Sequence, residues 1–235
     1  MRGRNFGSVN VAFLVTGHGR SGTCWLAGLL DRSPGVRVYH EPIPVDIDAH
    51  ARIRNGTLDA GDYLERRRAW MEEVWRRHPA ERYAESNSYL RYCARAAGRA
   101  FGAPVAALVR DGRLVVRSML ARGCYQRPGY PPIPAEEGVT PLEKCAWYWA
   151  DSCRRLADEK VPFFRLEDLN ADRDAYEILC RFLGVYLVAS AWYEARGRAV
   201  NVGVGGEPLD WGAAETDAFL EMAGDVFARY YGDLL

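Results

Sequence analysis

A glycine-rich turn near the start of the chain has the residue types that hold phosphate-like anions. The turn spans residues 17–22, follows an apolar run at 11–15, and leads into a second apolar segment that begins at Thr23. Glycine adopts positive φ angles at little steric cost and lets the backbone approach a ligand closely. The amides at the start of a helix lack partners and carry the positive end of the helix dipole. The pattern therefore predicts an anion-binding loop between a buried strand and a helix.

The position of the positive charge in this turn argues against a nucleoside-triphosphate enzyme. In the P-loop of kinases and GTPases, a lysine directly follows the last glycine of the motif. Here Thr23 follows Gly22, and the cation, Arg20, lies inside the turn. Two kinds of protein are the alternatives for such a loop. One is a P-loop nucleotide or small-molecule kinase, and the other is a non-catalytic nucleotide-binding domain.

A second candidate anion site follows Val105–Val109, an apolar run that predicts another buried parallel strand. Arg110 ends this strand, Asp111 suits a helix N-cap, and Ser118 comes eight residues after Arg110. Within a helix, that separation places Ser118 about 12 Å along the axis. The planar guanidinium of arginine can donate two parallel hydrogen bonds to a phosphate. Arg110 is therefore a candidate phosphate ligand, although a capping or surface role fits the same residue.

Two groups that could accept a proton follow the strand predicted at residues 36–39. His40 and Glu41 come directly after it, and Glu41 stands 21 residues after Arg20. Ligands of parallel sheets bind beyond the carboxyl ends of the strands, so both side chains are expected beside the glycine-rich turn. A carboxylate or an imidazole placed there could act as a general base toward a hydroxyl group. The pattern leaves both residues as candidates.

These segments, in this order, resemble the sulfotransferases that use 3′-phosphoadenosine-5′-phosphosulfate (PAPS). The resemblance implies that the R-S-G-T string at residues 20–23 contacts the phosphosulfate and that Trp25 stacks on the adenine. It also implies that Arg110 and Ser118 bind the 3′-phosphate. The predicted cofactor-binding residues of the two motifs are Gly19, Arg20, Ser21, Gly22, Thr23, Cys24, Trp25, Arg110 and Ser118.

The same resemblance implies that a sulfuryl group is transferred to a hydroxyl without the help of a metal. In tyrosylprotein and carbohydrate sulfotransferases, a glutamate at about the distance of Glu41 behind the loop serves as general base. Cytosolic small-molecule sulfotransferases use a histidine from a later segment, which makes His40 the competitor. Arg20 is expected to stabilise the charge on the leaving bridging oxygen. The implied catalytic residues are thus Glu41, Arg20 and His40, and the expected acceptor is a small molecule such as a sugar, a phenol or a natural product.

Three further segments carry weaker signals. The L-E-D-L string at 166–169 resembles a strand-ending segment of the family, and Glu167 and Asp168 are predicted to be structural. Arg196 and Arg198 begin a basic, glycine-bearing loop of the kind that folds over the 3′-phosphate and adenine, and either arginine could bind there. The prolines at 127–134 exclude regular structure. The resemblance implies that this segment is part of a lid or wall of the acceptor pocket, and a plain surface excursion is the alternative.

Composition is that of an ordinary globular protein. The chain has 235 residues, of which 49% are hydrophobic and 26% charged, and its 31 basic side chains balance 31 acidic ones. This balance argues against a nucleic-acid partner. The apolar run at 11–15 is too short to span a membrane, and the six cysteines have no metal-ligand spacing. We therefore expect a cytoplasmic enzyme, with an oligomeric state that the sequence does not specify.

The alternation of apolar runs and amphipathic segments predicts one α/β domain over residues 1–235. We expect three layers, α/β/α, with a central parallel sheet and a P-loop-like phosphosulfate-binding loop. Helices are predicted at 59–77, 86–100, from an N-cap at Thr140 to about 160, at 172–183 and at 213–231.

Overall fold

The computed structural model describes residues 9–79, 81–126, 130, 132, 137–198 and 211–234. Five parallel strands form one sheet in these residues, in the spatial order β2-β3-β1-β4-β5. The strands are β1 (Val11–Gly17), β2 (Val36–His40), β3 (Arg82–Ser86), β4 (Val105–Val109) and β5 (Phe163–Arg165).

Helices connect and cover the strands. In the described residues they are α1 (Thr23–Leu30), α2 (Asp46–Arg54), α3 (Ala60–Trp75), α4 (Ala94–Phe101), α5 (Gly112–Leu120), α6 (Pro141–Asp158), α7 (Leu166–Ala171), α8 (Arg173–Leu183), α9 (Ala189–Ala195) and α10 (Ala213–Tyr231). Two short 3₁₀ helices, Ser88–Tyr92 and Gly232–Leu234, complete the set. Within this part of the chain, no helix has both the length and the apolar character that crossing a membrane requires.

The central strand β1 is buried on both of its faces. Phe13 and Val15 pack into a core with residues of α1, α8 and α9, whereas Leu14 belongs to a second core with residues of α3 and α4. Successive side chains of a strand point to opposite faces, so a strand that is apolar throughout requires helices on both sides. The three-layer α/β/α architecture with a parallel sheet is therefore confirmed.

Polar side chains begin several helices, as the sequence predicted. Asp59 accepts hydrogen bonds from the amides of Gly61 and Asp62 at the start of α3, and Asp111 caps α5 through the amide of Arg113. Thr140 and Glu143 form a reciprocal capping box at the start of α6. The helices predicted at 59–77, at 140–160, at 172–183 and at Ala213–Tyr231 are confirmed.

The helix predicted at 86–100 is wrong in its first half. That part of the chain ends β3 at Ser86 and continues as the 3₁₀ helix Ser88–Tyr92, before α4 begins at Ala94. β3 escaped prediction because it is not an apolar run. Its Glu85 is completely buried and pairs with the equally buried Arg67 of α3, at 2.6 Å between Oε2 and Nη2. Buried charges of this kind are stable only when paired.

The strand register brings the candidate motifs to one edge of the sheet. Gly17 lies opposite Leu108, so the loop after β1 is close to the end of β4. His40 lies opposite Ser86, so the segments after β2 and β3 are neighbours. Most of the proline-rich stretch 127–134, and the glycine-bearing loop from 199 to 206, are outside the described residues.

Candidate functional site

The loop between β1 and α1 is a close-fitting backbone turn. Gly17 has a φ of +156°, and a Cβ at this position would lie 2.3 Å from the carbonyl oxygen of Leu108. Gly22 has a φ of +90°, and a Cβ there would lie 2.7 Å from the side chain of Leu166, the first residue of α7. At both positions a larger residue would collide with its neighbours, which accounts for the glycines of the motif.

Two kinds of polar group in this turn, a side-chain hydroxyl and helix-start amides, have no side-chain partner among the described residues. Ser21 is completely buried, and its Oγ makes no hydrogen bond to any described residue. Gly22 is the N-cap of α1, and no side chain of the described residues caps the amides of the first helical turn. Buried hydroxyls and helix-start amides are normally satisfied, so this set of donors fits an anionic ligand in the turn.

The predicted cations and Ser118 meet on one side of the turn. Arg20 donates from Nε to Oγ of Ser118 at 3.0 Å, and Arg110 donates from Nη1 to the carbonyl oxygen of Arg20 at 3.2 Å. Burial, followed by the nearby charges of Arg122 and Arg110, lowers the pKa of Arg20. These guanidinium groups repel one another, and a bound anion would relieve that repulsion. Arg122 was not predicted from the sequence as a residue of this site.

The two candidate bases lie on the other side of the turn. Nε2 of His40 is 3.1 Å from Oγ1 of Thr23, the first residue of α1. The same nitrogen is 3.8 Å from Oε1 of Glu41. The backbone of Glu41 has a φ of +47°, although Pro42 follows it and disfavours helical backbone angles in the preceding residue. A non-glycine residue held in this region is strained, and such strain is concentrated at functional sites.

Ser88 also lies on this side of the site, and it was not predicted from the sequence. Its Oγ donates to Oε1 of Glu41 at 2.5 Å, and the residue is only 3% exposed. Ser88 is far from Glu41 in sequence and stands in the segment that we predicted as helix. No local pattern pointed to it.

His18 is a buried turn residue. Its Nδ1–H donates to the carbonyl oxygen of Gly19 at 2.6 Å, and its ring meets the ring of Tyr148 edge-on at 4.9 Å. Burial, with a smaller contribution from the charge of Arg91, lowers the pKa of His18 to about 3. The imidazole is therefore neutral near pH 7.

The remaining predicted cofactor residues are placed differently from the group around Arg20. Trp25 is 7% exposed and lies in the core, where its indole N–H donates to the carbonyl oxygen of Ala195 at 3.1 Å. Arg196 stacks over the rings of Trp192 and Tyr193, and Arg198 is exposed. Cys24 is a free, half-buried cysteine, and Gly19 lies in the turn itself. Trp25 thus ties the end of α9, and the arginine that follows it, to the helix of the glycine-rich turn.

Glu167 has the structural role that the sequence predicted. Its carboxylate accepts hydrogen bonds from the amide of Asp111 at 3.0 Å and from the hydroxyl of Tyr231 at 2.7 Å. It thereby ties the end of α10 to the turn after Arg110. The neighbouring Asp168 forms an ion pair with Arg165 at 3.7 Å.

Comparison with solved structures shows that the chain has the fold of sulfotransferases. Mouse sulfotransferase SULT7A1, solved with PAP, superposes with a TM-score of 0.55 at 16% identity, over 97% of this chain and 87% of that one. Sulfotransferase STF9 from Mycobacterium avium gives a TM-score of 0.59 at 12% identity, over 96% and 78%. The sulfotransferase domain of the curacin biosynthetic pathway gives 0.51 at 13% identity, over 84% and 82%. No protein-family model and no curated protein matches the sequence.

Proposed function

We propose that this chain, built on the sulfotransferase fold, transfers the sulfuryl group of PAPS to a hydroxyl group of a small-molecule acceptor. One observation carries the proposal. The turn with the unpartnered Ser21 hydroxyl lies between a group of cations, Arg20 and Arg110, and a carboxylate, that of Glu41. An anion-binding turn flanked by positive charge on one side and a proton acceptor on the other is what transfer from an anionic donor to a hydroxyl requires.

The residues present fit such a donor. The amides at the start of α1, with the side chains of Arg20 and Ser21, would hold the phosphosulfate. Arg110 and Ser118 would bind the 3′-phosphate that distinguishes PAPS from ordinary adenine nucleotides. When bound, PAPS supplies an activated sulfuryl group whose bond to the phosphate oxygen breaks as the bond to the acceptor oxygen forms. The mouse structure is a complex with 3′-phosphoadenosine 5′-phosphate (PAP), which supports this choice of donor.

Hydrogen-bond geometry favours Glu41 over His40 as the proton acceptor. Nε2 of His40 is engaged with Thr23, so it can donate there and leave the hydroxyl proton of Thr23 free to bind an anion. Oε1 of Glu41 accepts from Ser88, whereas Oε2 has no hydrogen bond within the described part of the chain. The proton of the acceptor hydroxyl would therefore move to Oε2 of Glu41. His40 then acts as a positioning residue for Thr23.

Backbone strain supports the same assignment. Arg20, within the anion-binding turn, has a φ of +77°, and Glu41, beside the turn, has a φ of +47°. Such conformations cost about 1–3 kcal/mol each and persist only where the surroundings enforce them. Both strained residues are among those that we assign to the chemistry.

The acceptor site is proposed to lie beside Glu41, where aromatic side chains gather. Burial, and next the charge of Glu41, raise the pKa of Tyr89, which places this phenol near the base. The rings of Tyr89 and His50 are 5.0 Å apart. Half-buried rings of this kind suit a sugar, a phenol or another ring-bearing natural product.

Replacement of Glu41 by glutamine tests the assignment. Glu41→Gln keeps the shape of the side chain but removes its basicity, so we expect PAP formation from PAPS with a panel of hydroxyl acceptors to fall about 100-fold or more. The affinity for PAP should stay within about two-fold of wild type, because Glu41 lies outside the predicted nucleotide contacts. Glu221→Gln, an exposed change on α10, is the matched control. Near-normal turnover by Glu41→Gln would remove Glu41 from the mechanism.

A further inference from the structure

We infer that Ser88 is a positioning residue that holds the carboxylate of Glu41 in its reactive orientation. The inference rests on the proposed function, because it assigns Ser88 a role through the proposed general base. Ser88 itself would not touch the sulfuryl group or give up a proton to it.

The position of the Ser88 hydroxyl supports this role. Its Oγ is 2.5 Å from Oε1 of Glu41. It is also 3.9 Å from the point where a Cβ on Gly19 would stand, so it lies directly beside the anion-binding turn. The hydroxyl therefore occupies the space between the turn and the carboxylate. A short hydrogen bond from a neutral hydroxyl to a charged carboxylate is among the stronger bonds that a side chain can make.

The backbone of Ser88 is itself held in place by buried contacts. Its carbonyl oxygen accepts a hydrogen bond of 2.6 Å from Nη1 of Arg91, which is 3% exposed. The amide of the preceding residue, Asn87, donates to the carbonyl oxygen of Val15 in β1 at 2.8 Å. The side chain of Asn87 also accepts from the amide of Tyr89 at 3.0 Å. Ser88 is thus fixed to the central strand.

Two carboxylates anchor Asn87 from the other side. Its side-chain amide donates to Oδ2 of Asp46 at 2.8 Å and to Oε2 of Glu85 at 2.9 Å. Both carboxylates are completely buried and share the guanidinium of Arg67. This chain of contacts gives the Ser88 hydroxyl a fixed location, which a surface loop would not provide.

A fixed hydroxyl matters because a glutamate side chain is otherwise mobile. Glutamate has three rotatable side-chain bonds, and ordering such a side chain costs conformational entropy. The bond from Ser88 engages Oε1 and leaves Oε2 for the hydroxyl of the acceptor. Without it, the carboxylate would sample other rotamers, and misplacement by about 1 Å can cost 100-fold in rate.

The closing experiment compares Ser88→Ala, Ser88→Thr and Ser152→Ala. Ser152 is a matched control because it is buried and bonds to Arg91 at 3.1 Å, but makes no hydrogen bond to Glu41 in the described structure. For Ser88→Ala we expect kcat to fall about 10- to 100-fold, with the KM for PAPS and the affinity for PAP within about two-fold of wild type. Ser88→Thr, which restores the hydroxyl, should recover most of the rate.

A second readout does not depend on turnover. With glutamate labelled at its carboxyl carbon, the ¹³C resonance of Glu41, identified by its loss in Glu41→Gln, should move at pH 7 in Ser88→Ala and stay in place in Ser152→Ala. A wild-type kcat or an unmoved resonance in Ser88→Ala would overturn the inference. Equal losses of rate in Ser88→Ala and Ser152→Ala would also overturn it. Failure of the proposed function would look different, because the wild type itself would then transfer no sulfuryl group from PAPS.

Discussion

Arg110 is the side chain that should distinguish a 3′-phosphorylated nucleotide from ADP. It directly follows β4, and its Nη1 donates to the carbonyl oxygen of Arg20 at 3.2 Å. Hydrogen bonds to charged groups contribute about 1.5–3 kcal/mol, so Arg110→Ala should weaken PAP binding about 10- to 100-fold. Binding of ADP, which lacks the 3′-phosphate, should change little. Isothermal titration calorimetry with both nucleotides measures the difference.

Arg99→Ala is the control for that measurement, because Arg99 is an exposed residue of α4. It should leave the affinities for PAP and ADP unchanged. An equal loss of affinity for both nucleotides in Arg110→Ala would mean that Arg110 supports the turn and does not bind the 3′-phosphate.

Individual residues show which parts of the candidate site could be predicted from the sequence and which could not. The string at residues 20–23, Arg110 and Ser118 could be selected because, in this order and beside apolar runs, they resemble the motifs of PAPS-dependent sulfotransferases. The resemblance already preferred Glu41 to His40 as the proposed base, and the contact of His40 with Thr23 adds a geometric argument for the same preference. Ser88 and Arg122 reach the site from other elements through tertiary packing. The spacing of residues in the sequence does not indicate such tertiary contacts.

The β1–turn–α1 unit tests the backbone argument at the scale of an element. Gly17→Ala would put a methyl group 2.3 Å from a backbone oxygen of β4, which cannot move without disturbing the sheet. We expect the free energy of unfolding to fall by more than about 2 kcal/mol. Urea denaturation followed by circular dichroism measures the change.

Gly28→Ala is the matched variant in the same unit. Gly28 lies within α1 and is exposed, and a Cβ there would meet no described atom within 4 Å beyond its chain neighbours and the backbone of its own helix. Alanine is about 1 kcal/mol more favourable than glycine in a helix interior, so this variant should be stabilised by up to that amount. Destabilisation of both variants to the same extent would contradict the role given to Gly17.

β3 shows why an element can escape a pattern-based prediction. A central strand was expected to be an apolar run, but Glu85 and Ser86 are completely buried in this one. They are tolerated because Arg67 of α3 and Asn87 satisfy the Glu85 carboxylate. Arg67 comes from another element, so the periodicity of the segment itself carries no strand signal. β1, β2 and β4, with apolar residues at their inward positions, were predictable.

For the whole molecule, the arrangement of the sheet follows from simple rules. Parallel strands with both faces covered place their carboxyl ends at one edge, and ligands of such folds bind there. From the sequence alone, that rule predicts that Arg20, Arg110, His40 and Glu41 lie at one edge of the sheet, and the strand register agrees. It does not predict side-chain hydrogen bonds such as the one from the indole N–H of Trp25 to the carbonyl oxygen of Ala195.

At the scale of the whole molecule, the free energy of unfolding measured as a function of pH tests the burial of His18. The pKa of this imidazole is about 3 in the folded chain, against about 6.5 in an unfolded one. Above pH 6.5 it is neutral in both states and adds no pH dependence. Below that, only the unfolded state binds the proton, so folding loses roughly 1.4 kcal/mol per pH unit until the folded pKa is reached. Burial, and next the charge of Arg91, lower the pKa of His50 to about 4. His50 therefore also lowers the free energy of unfolding as the pH falls.

Urea denaturation between pH 7.5 and 4.5 should show this loss in the wild type. In His18→Asn the fall with decreasing pH should be shallower by roughly 1.4 kcal/mol per unit, because the titrating group is gone. His78→Asn, an exposed change, should keep the wild-type slope. Parallel curves for wild type and His18→Asn would contradict the burial of a neutral imidazole.

The measurement that tests the central claim most directly is the melting temperature with PAP, ADP and Mg²⁺-ATP at equal concentration. A ligand that binds only the native state stabilises it by about 2.7 kcal/mol at 100 times its dissociation constant. We predict a clear rise with PAP and much smaller changes with ADP and Mg²⁺-ATP, because Arg110 and Ser118 are assigned to the 3′-phosphate. Stabilisation by Mg²⁺-ATP without any by PAP would contradict the account and favour a kinase.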